Sequence, residues 1–460
     1  MSTGGASATS PERHEVVIVG GGIAGLSAGW RLRHRDVVVL EAEQRVGGRI
    51  KSEPRGRYWL NVGAHVFGGP DSCTGRLLDE AGVQAAKVPG LLTGLALNGR
   101  ILSSGRVETY PFRLPLAPRD RLALIRTGLR LRLAVMRYDR VARPRPGEPD
   151  ARRRLRTLAF LGNRSFADFI GPLPPDVDAI FRPTIERSSG EPEDVAAGYG
   201  VGYFHLVWNR ARGLSRNILG GSSTLTGALA QALGGRIATA SRVEEIAQDA
   251  DGVRIRYTQG GTSRELRAQF AVVATPADVT RSIVRELPSE VEAALARIVY
   301  GPYVVAAFLT GESDAMPWDG LYAMATAKRS FNMLFNTANV LRVPGQPREP
   351  GGSLMVYSGA SLARRLFDDD DERVVNTYLE DLYDLYPQMR GLVREAVVQR
   401  WERGLPYPRP GRYRLQEALE RPLGRLYLAG DYLGTWYTET AIETGTAAAA
   451  AIDARLGPVR

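Results

Sequence analysis

Three closely spaced glycines and an acid one strand later are the residues of this sequence best arranged for cofactor chemistry. Gly20, Gly22 and Gly25 stand in "VVIVGGGIAGLSAG", directly after four strand-forming residues. In such a pattern the first glycine permits a tight turn, the second lets the backbone approach a phosphate, and the third lets helix and strand pack closely. Glu41 ends the next predicted strand, "DVVVLE", where it can accept hydrogen bonds from ribose hydroxyls. The pattern predicts a dinucleotide whose pyrophosphate faces a helix N-terminus.

Two other interpretations of the same stretch fail. A secretory signal peptide needs a basic flank and an unbroken apolar core, but "PERHE" carries two acids and the glycines interrupt the apolar run. The "GLSAG" segment fits the turn that presents a serine nucleophile. The turn, however, falls at Gly20, so Ser27 is expected a full turn inside the helix, without special exposure.

Further stretches resemble the flavin amine oxidase superfamily, which includes monoamine and polyamine oxidases, protoporphyrinogen oxidases and carotenoid-type desaturases. The resemblance is carried by "LEAEQRVGGRI", by "LNVGAHVF" and by "RLYLAGDYLG", which occur in the family's order. The family binds FAD with these segments. Together with the glycine loop, the resemblance implies FAD contacts for Gly20, Gly22, Gly25, Glu41, Gly47, Gly48, Arg49, Gly63, Ala64, Val243, Gly430, Asp431 and Ala441.

The closing stretch, "TETAIETGTAAAAAI", predicts a helix whose N-terminus points at the flavin. Thr440 and Glu443 have the spacing of a capping box, which predicts a helix start near Thr440.

Three residues are candidates for catalytic contact: Tyr437, His65 and Trp401. Tyr437 falls where related amine oxidases place one tyrosine of an aromatic cage, which steers an amine by its π faces. His65 can face the flavin as a donor or proton shuttle. Each also has a structural explanation, Tyr437 and Trp401 as core aromatics and His65 as a hydrogen-bonded structural histidine. A second cage tyrosine is not evident, because the alignment puts Arg403 there and Tyr407 a little beyond.

Two departures from the family affect the expected chemistry. Cys73 is the only cysteine and lies far in sequence from the position at which monoamine oxidases attach their flavin, so FAD is expected to bind non-covalently. Val305 stands where many amine oxidases carry a lysine that is bound through water to flavin N5. One cysteine and four histidines also make a metal site improbable, and none is predicted.

The predicted activity is oxidation of the C–N bond of a bulky amine or other nitrogen-bearing small molecule, of a kind found in secondary metabolism. The flavin takes the hydride and the protein supplies position and electrostatics. No second dinucleotide motif is evident, which favours molecular oxygen or another acceptor over NADPH-dependent turnover. Two alternatives remain open. One is a C–C desaturase or porphyrinogen-oxidase-like enzyme acting on an apolar substrate. The other is a flavin-dependent mutase or isomerase without net oxidation, since UDP-galactopyranose mutase has similar FAD signatures.

The predicted fold class is α/β, with a discontinuous, Rossmann-like FAD-binding domain and an inserted α+β substrate domain. After a disordered N-terminus at residues 1–12, the FAD-binding domain comprises residues 13–76, 215–290 and 410–460. The substrate domain comprises residues 77–214, which are largely helical, and residues 291–409. Within the latter, "PYVVAAFL" predicts a buried strand.

The net charge of +10 is concentrated in one segment: residues 119–156 hold thirteen arginines against four acids. The apolar residues of "RLALIRTGLRLRLAVMR" recur at helical spacing, and they are Leu122, Ile125, Leu129, Leu133 and Met136. The segment is interpreted either as a solvated helical face or as a basic amphipathic helix that lies on an anionic membrane.

The expected partners follow from the same composition. Nucleic acid is not predicted, because the basic segment has no recognisable module and only Tyr138 as an interleaved aromatic. No apolar run is long enough to span a bilayer. We expect a cytoplasmic enzyme with a small-molecule substrate, either free or peripheral to a membrane, and a homodimer is compatible with the sequence.

Overall fold

The computed structural model describes residues 12–88, 94–208, 214–343, 345–435 and 437–458. The predicted disordered segment, residues 1–12, lies outside these ranges except for Glu12, which is the first residue of a strand.

The strands, in chain order, are β1 (Glu12–Val19), β2 (Val37–Leu40), β3 (Ser52–Arg55), β4 (Tyr58–Asn61), β5 (Phe67–Gly68), β6 (Ala85–Lys87), β7 (Gly94–Leu97), β8 (Arg100–Leu102), β9 (Leu214–Ile218), β10 (Ile237–Ala238), β11 (Ser241–Gln248), β12 (Val253–Gln259), β13 (Thr262–Val273), β14 (Tyr300–Thr310), β15 (Ala323–Thr326), β16 (Met333–Asn336), β17 (Gly352–Gly359), β18 (Val393–Pro406) and β19 (Leu426–Leu428).

The helices are α1 (Ile23–Arg31), α2 (Cys73–Glu80), α3 (Tyr110–Arg113), α4 (Pro118–Ala142), α5 (Asp150–Ala159), α6 (Phe166–Ile170), α7 (Pro175–Glu186), α8 (Ala197–Trp208), α9 (Ser223–Leu233), α10 (Ala277–Ile283), α11 (Ser289–Ala296), α12 (Ala360–Leu366), α13 (Asp371–Leu385), α14 (Gln416–Leu419) and α15 (Tyr437–Leu456).

The first sheet carries the glycine loop at the end of β1. Its strand order is β10-β2-β1-β13-β12-β11, and β19 pairs with the last residues of β13, beyond the point where β12 pairing ends. β1 pairs in parallel with both β2 and β13, whereas β11, β12 and β13 form an antiparallel meander. α1, α9 and α15 cover one face of this sheet, and α10, α11 and α14 cover the other. Apolar side chains on both faces explain the uninterrupted "VVIV" and "VVVL" runs.

The second sheet has the order β18-β14-β17-β16-β15-β7-β8. β14 lies between β17 and β18 and is the buried strand that "PYVVAAFL" predicts. Alternate β14 residues point to opposite sides: Val305 and Ala307 join a core shared with α4, α6, α7 and α8, while Val304 and Ala306 join a core shared with α12 and α13. β3 with β4, and β5 with β9 and β6, form two small accessory sheets.

The chain enters the first sheet in three separate passages and builds the second sheet between them, which is the predicted α/β fold with an inserted α+β unit. The predicted boundary at residue 76 falls inside α2. Leu77 and Leu78 of that helix pack in the core of the first sheet, so this helix is continuous with the glycine-loop side of the molecule.

The predicted capping box at the last helix is wrong. α15 begins at Tyr437, which places Thr440 in its first turn and Glu443 further in. Glu443 instead forms ion pairs with Arg153, at 2.8 Å, and with Arg154 of α5.

The arginine-rich segment is the long helix α4, and most of its predicted apolar stripe faces solvent. Four of the five predicted stripe residues are exposed, at 47% for Leu122, 63% for Leu129, 60% for Leu133 and 45% for Met136. The helix buries a different face, which includes Leu124, Leu131, Val135 and Tyr138. Among the described residues, no helix is long and apolar enough to cross a membrane.

Candidate active site

The loop between β1 and α1 has the geometry of a phosphate cradle. Gly20 has a φ of +104°, and a Cβ on Gly25 would lie 1.9 Å from the carbonyl oxygen of Gly20. α1 follows Gly22 with no capping side chain among the described residues, and a Cβ on Gly22 would meet none of their atoms within 4 Å. The first-turn N–H groups and the space above Gly22 therefore fit a phosphate. Ser27 is buried in α1 and donates to the Ile23 carbonyl at 2.7 Å, which rules out its role as an exposed nucleophile.

Glu41 lies beside this loop at the end of β2. Its Oε2 accepts the Gly21 N–H at 2.6 Å, and its Oε1 accepts the Glu43 N–H at 2.8 Å. The carboxylate is thus fixed in orientation and buried. Because a carboxylate has about four lone-pair sites, it can still accept from ribose hydroxyls.

The second glycine pair lies directly against the first loop. The Gly47 N–H donates to the Gly21 carbonyl at 2.8 Å, and a Cβ on Gly48 would approach Gly22 Cα to 3.3 Å. Gly47 and Gly48 have φ values of +106° and +54°, which glycine adopts without strain. The two loops predicted from separate motifs therefore form one surface.

Arg49 connects that surface to the other end of the chain. Its Nη2 donates to Asp431 Oδ1 at 2.9 Å and its Nη1 donates to the Gly404 carbonyl at 3.1 Å. Burial alone would lower the pKa of Arg49, but the Asp431 carboxylate outweighs this effect and raises it. Gly430 is held beside Asp431 because its N–H donates to Thr444 Oγ1 of α15 at 3.0 Å.

The remaining predicted cofactor residues are placed as follows. A Cβ on Gly63 would lie 2.2 Å from the Arg49 carbonyl, which accepts the Ala64 N–H at 3.0 Å. Val243 is buried on β11, whose first residue donates its N–H to the Glu41 carbonyl at 2.7 Å. Ala441 lies one turn inside α15 with its side chain in the core, so its N–H is not among the free groups at the helix end.

Between the two sheets and α8 lies a group of rings that we call the aromatic chamber. Tyr203 contacts Tyr199 and Tyr437 edge-on, with ring centroids 5.3 and 6.0 Å apart. Tyr357 contacts Tyr303 at 5.3 Å and stacks on Phe335 at 5.7 Å. Its members come from α8, β14, β16, β17 and α15, and are Tyr199, Tyr203, Tyr303, Phe335, Tyr357 and Tyr437.

Tyr437 therefore lies in an aromatic environment, but its neighbours are not the ones that the alignment offered. Arg403 is on the outer surface, where it pairs with Asp278 at 2.7 Å and with Glu402. Tyr407 is buried next to Gly190, in the same core as the chamber. The rings closest to Tyr437 are supplied by α8.

His65 adjoins the chamber through Phe335, with ring centroids 4.4 Å apart. Its Nδ1 lies 3.1 Å from the Gly63 carbonyl, which makes Nδ1 the protonated nitrogen and leaves Nε2 as an acceptor. Among the described residues, Nε2 has no hydrogen-bond partner. Burial, with a smaller contribution from the Arg187 charge, lowers the pKa of His65 to about 4, so the imidazole is neutral at pH 7.

Trp401 bridges the loop surface and the chamber. The Nε1 of Trp401 donates to the Val62 carbonyl at 2.7 Å, and the Arg45 guanidinium lies 5.8 Å from the Trp401 ring. Trp401 on β18 is also the cross-strand partner of Tyr303 on β14. The three candidate catalytic residues thus lie around one region.

The positions that depart from the family are also visible. Val305 is buried on β14, and its cross-strand neighbour Gln399 accepts from Lys51 Nζ at 2.9 Å. Cys73 begins α2, and burial raises the pKa of its thiol to about 11. Within the described ranges, no group of three or more His, Cys, Asp or Glu side chains could hold a metal ion.

Arg187 and the two α8 tyrosines are chamber residues that were not predicted from the sequence. Arg187 follows α7 and lies among the chamber rings, a position that nothing in "TIERSSG" indicates. "AGYGVGYFH" did carry a signal, since its glycines let α8 pack closely: a Cβ on Gly198 would lie 1.6 Å from the Phe160 carbonyl. A helix with this spacing of glycine and tyrosine presents its rings in a narrow space.

Comparison with known families decides the class of protein. The family model described as flavin containing amine oxidoreductase matches residues 23–453. The chain belongs to this family. As a flavin-containing amine oxidoreductase, it has the flavin cofactor for which the glycine loops and the Arg49–Asp431 pair provide suitable groups.

Relatives with curated names agree with this assignment. Bovine amine oxidase [flavin-containing] A is 24% identical over 96% of this chain and 85% of its own length. The bovine peroxisomal N(1)-acetyl-spermine/spermidine oxidase is 49% identical, but over only 15% of each chain.

Solved structures show the same fold. Putrescine oxidase bound to putrescine has a TM-score of 0.74 at 19% identity, and cyclohexylamine oxidase from Brevibacterium oxydans IH-35A has 0.75 at 22%. Each alignment covers 96% of this chain and 99% of the other. The Rossmann-like fold of the first sheet is therefore confirmed.

The glycine loop predicts different outcomes for two alanine variants. Gly22→Ala adds a methyl group where no protein atom lies nearby, so the apoprotein should keep its Tm while flavin affinity falls by about tenfold or more. Gly25→Ala should destabilise the fold itself, because its Cβ would overlap the Gly20 carbonyl. The measurements are apoprotein Tm and flavin bound at fixed free flavin.

Gly227→Ala is the matched control, since this glycine lies inside α9 and a Cβ there meets nothing within 4 Å. It should leave flavin affinity unchanged and raise stability by up to about 1 kcal/mol. Normal flavin affinity in Gly22→Ala would show that the phosphate is not bound over this glycine.

His65 predicts a loss of stability in acid. Its pKa falls from 6.5 to about 4 on folding, so the unfolded chain takes up the proton first as the pH drops. The contribution of neutral His65 is complete above its unfolded pKa and is lost progressively below it. Between pH 7.5 and 5 the wild type should lose about 2 kcal/mol more than His65→Asn. A Tm difference between the two proteins that stays constant with pH would contradict this.

Proposed function

We propose that the protein oxidises the C–N bond of a bulky amine, with FAD bound non-covalently along the glycine loops. The observation that carries the proposal is the convergence of Tyr437, His65 and Trp401 on the aromatic chamber, next to the segment of Gly63 and Ala64. FAD, when bound, supplies the acceptor for the hydride that leaves the carbon next to nitrogen.

Non-covalent binding is supported by the chemistry of the only cysteine. Attachment through sulfur requires a thiolate, and burial raises the pKa of the Cys73 thiol to about 11. The cofactor would be held by the first-turn N–H groups of α1 and by Glu41, with Arg49 and Asp431 towards the chamber.

The chamber side chains can bind and orient an amine. The rings of Tyr437 and Tyr203 offer π faces and edges to the substrate body. His65 Nε2, an acceptor on a neutral ring, can accept an N–H of the substrate. Water is excluded by the surrounding rings, and this favours the uncharged amine, whose nitrogen lone pair is needed for hydride loss.

The experiment is anaerobic flavin reduction followed by absorbance. A productive amine should bleach the flavin, and admission of air should restore its colour without NAD(P)H, since molecular oxygen is the proposed acceptor. A desaturase or porphyrinogen oxidase would bleach only with apolar substrates that lack an oxidisable amine. A mutase would turn over with the flavin remaining oxidised.

Tyr437 variants test the chamber directly. Tyr437→Phe keeps a π face and should reduce the flavin within about threefold of the wild-type rate, whereas Tyr437→Ala should be at least about tenfold slower. Tyr383→Ala, on α13 at the far side of the second sheet, is the control and should match the wild type. A wild-type rate in Tyr437→Ala would remove Tyr437 from the substrate site and favour the desaturase alternative.

We also propose that the exposed face of α4 binds an anionic membrane surface. Leu122, Leu129, Leu133 and Met136 share one side of the helix because they are spaced at multiples of a helical turn. The exposed arginines beside them match anionic headgroups in charge, and include Arg119, Arg126 and Arg137. Phe112, at 71% exposure, extends the apolar surface at the end of α3.

The protein should co-sediment with vesicles containing phosphatidylglycerol and be released by about 0.5 M salt, but should not bind pure phosphatidylcholine. Leu129→Glu with Leu133→Glu should abolish binding. Val343→Glu, the same kind of change at an exposed residue elsewhere, should not. Failure to bind at low salt would refute the membrane proposal. A dimer that the two leucine substitutions dissociate would assign the face to a second copy of the chain instead.

A further inference from the structure

Arg187 is built into the wall of the aromatic chamber. It is the residue after α7, and its carbonyl accepts hydrogen bonds from the hydroxyls of Tyr303 and Tyr203, the latter at 3.4 Å. Two chamber tyrosines from different elements, β14 and α8, thus hold the backbone from which this side chain extends. The position of the Arg187 backbone is therefore fixed by two side chains of the chamber.

The guanidinium of Arg187 lies among the rings. Its Cζ is 5.8 Å from the ring centroid of Tyr203, and its charge partly offsets the effect of burial, which raises the pKa of Tyr357. Its charge lowers the pKa of both Tyr437 and His65, so it lies near the two candidate catalytic groups.

Within the described ranges, Arg187 has no ion-pair partner. Arg412 also lacks one, but its guanidinium donates to Gln416 Oε1 at 3.1 Å and to the Tyr432 carbonyl at 2.5 Å. Several other arginines are paired with a carboxylate. Arg49 has Asp431 at 2.9 Å, Arg35 has Asp453 at 2.8 Å, and Arg348 has Glu312 at 3.0 Å. An arginine has five N–H donors in a planar fork, which the two oxygens of a carboxylate can accept together. Arg187 is half-buried, and a charge that has lost much of its solvent without gaining a counter-ion is costly, so this cation points to an anionic ligand.

The acid next to it in sequence does not supply the missing charge. Glu186 is buried against Asn332 and Arg182, the latter at 3.7 Å. Burial, with the nearby Glu191, raises the pKa of Glu186 to about 8, so its carboxyl group is largely protonated at pH 7. Glu186 therefore does not act as a counter-ion to Arg187.

We propose that Arg187 binds a carboxylate of the substrate and that the substrate is an amine that also carries a carboxylate, that is, an amino acid or a related amino carboxylate. This rests on the amine oxidation proposed above. A planar guanidinium matches a carboxylate through two parallel hydrogen bonds, and it repels an ammonium group. A simple diamine, with two positive charges, is therefore a poor ligand for this chamber.

The reaction balances with the groups named. The carbon next to nitrogen loses a hydride to the oxidised flavin, and the nitrogen loses a proton to solvent, which gives an imine. Molecular oxygen then takes two electrons and two protons and leaves as hydrogen peroxide. The carboxylate stays on Arg187 throughout and is not consumed, so it acts in binding and orientation.

The test uses the holoenzyme and a matched pair of probes, phenylalanine in both enantiomers and phenethylamine, which differ only by the carboxylate. Anaerobic flavin reduction should be at least about tenfold more efficient with one phenylalanine enantiomer than with phenethylamine. Benzoate, an anion without an amine, should perturb the flavin absorbance and compete with substrate. Arg187→Met should weaken benzoate about 100-fold, as expected for loss of a bidentate charged contact, and should reverse the substrate preference.

Arg187→Lys keeps the charge but not the fork, so it should recover part of the benzoate affinity. Arg132→Met, an exposed arginine of α4, is the control and should leave binding and preference unchanged. Flavin content and Tm are measured for every variant. If Arg187→Met does not fold, the lysine variant and wild-type benzoate titration decide.

The proposal is overturned if the wild type prefers phenethylamine, or if benzoate neither binds nor competes. In that event flavin reduction by phenethylamine would still support amine oxidation. If neither amine reduces the flavin while benzoate binds in an Arg187-dependent way, the carboxylate site stands and the proposed oxidation of these amines fails.

Discussion

The ion pair between Arg49 and Asp431 is the contact around which the site is organised. The two residues are 382 positions apart and lie in the first and last segments that the chain contributes to the cofactor side. Arg49 also donates to the carbonyl of Gly404 in β18, so one side chain connects both segments to the second sheet. Loss of Arg49 would leave the buried Asp431 carboxylate without its counter-ion, which is destabilising. The pair therefore holds the cofactor loops and the chamber in a single relative position.

The chamber combines apolar walls with one charged side chain, that of Arg187. This charge acts in opposite directions on the amine end and on the carboxylate end of the proposed substrate. The phenols stay protonated because burial raises their pKa, and His65 is neutral, so Arg187 dominates the local field. That field disfavours an ammonium and favours an anion. Since hydride leaves only when the nitrogen lone pair is free, the charge that would anchor a carboxylate also keeps the amine in its reactive form.

The cofactor side of the molecule could be predicted from sequence because its signals are local. The spacing of Gly20, Gly22 and Gly25 is enough by itself to predict the turn between β1 and α1, and Glu41 follows at the end of the next strand. The chamber could not be predicted, because Tyr203, Tyr357 and Arg187 meet only through tertiary packing. Periodicity also identified the apolar stripe of α4 without telling whether it faces the core, since both arrangements have the same spacing.

The layer formed by α4 and α8 relates the outer surface to the chamber. On its inner side, Tyr138 of α4 contacts His205 of α8 with centroids 5.4 Å apart, and α8 carries Tyr199 and Tyr203. Glycines of α8 pack so closely against neighbouring residues that a Cβ would overlap them, and we therefore expect the layer formed by α4 and α8 to be rigid. The proposed membrane face of α4 and the chamber therefore lie on opposite sides of one layer, so substitutions on the exposed face should act independently of substitutions in the chamber.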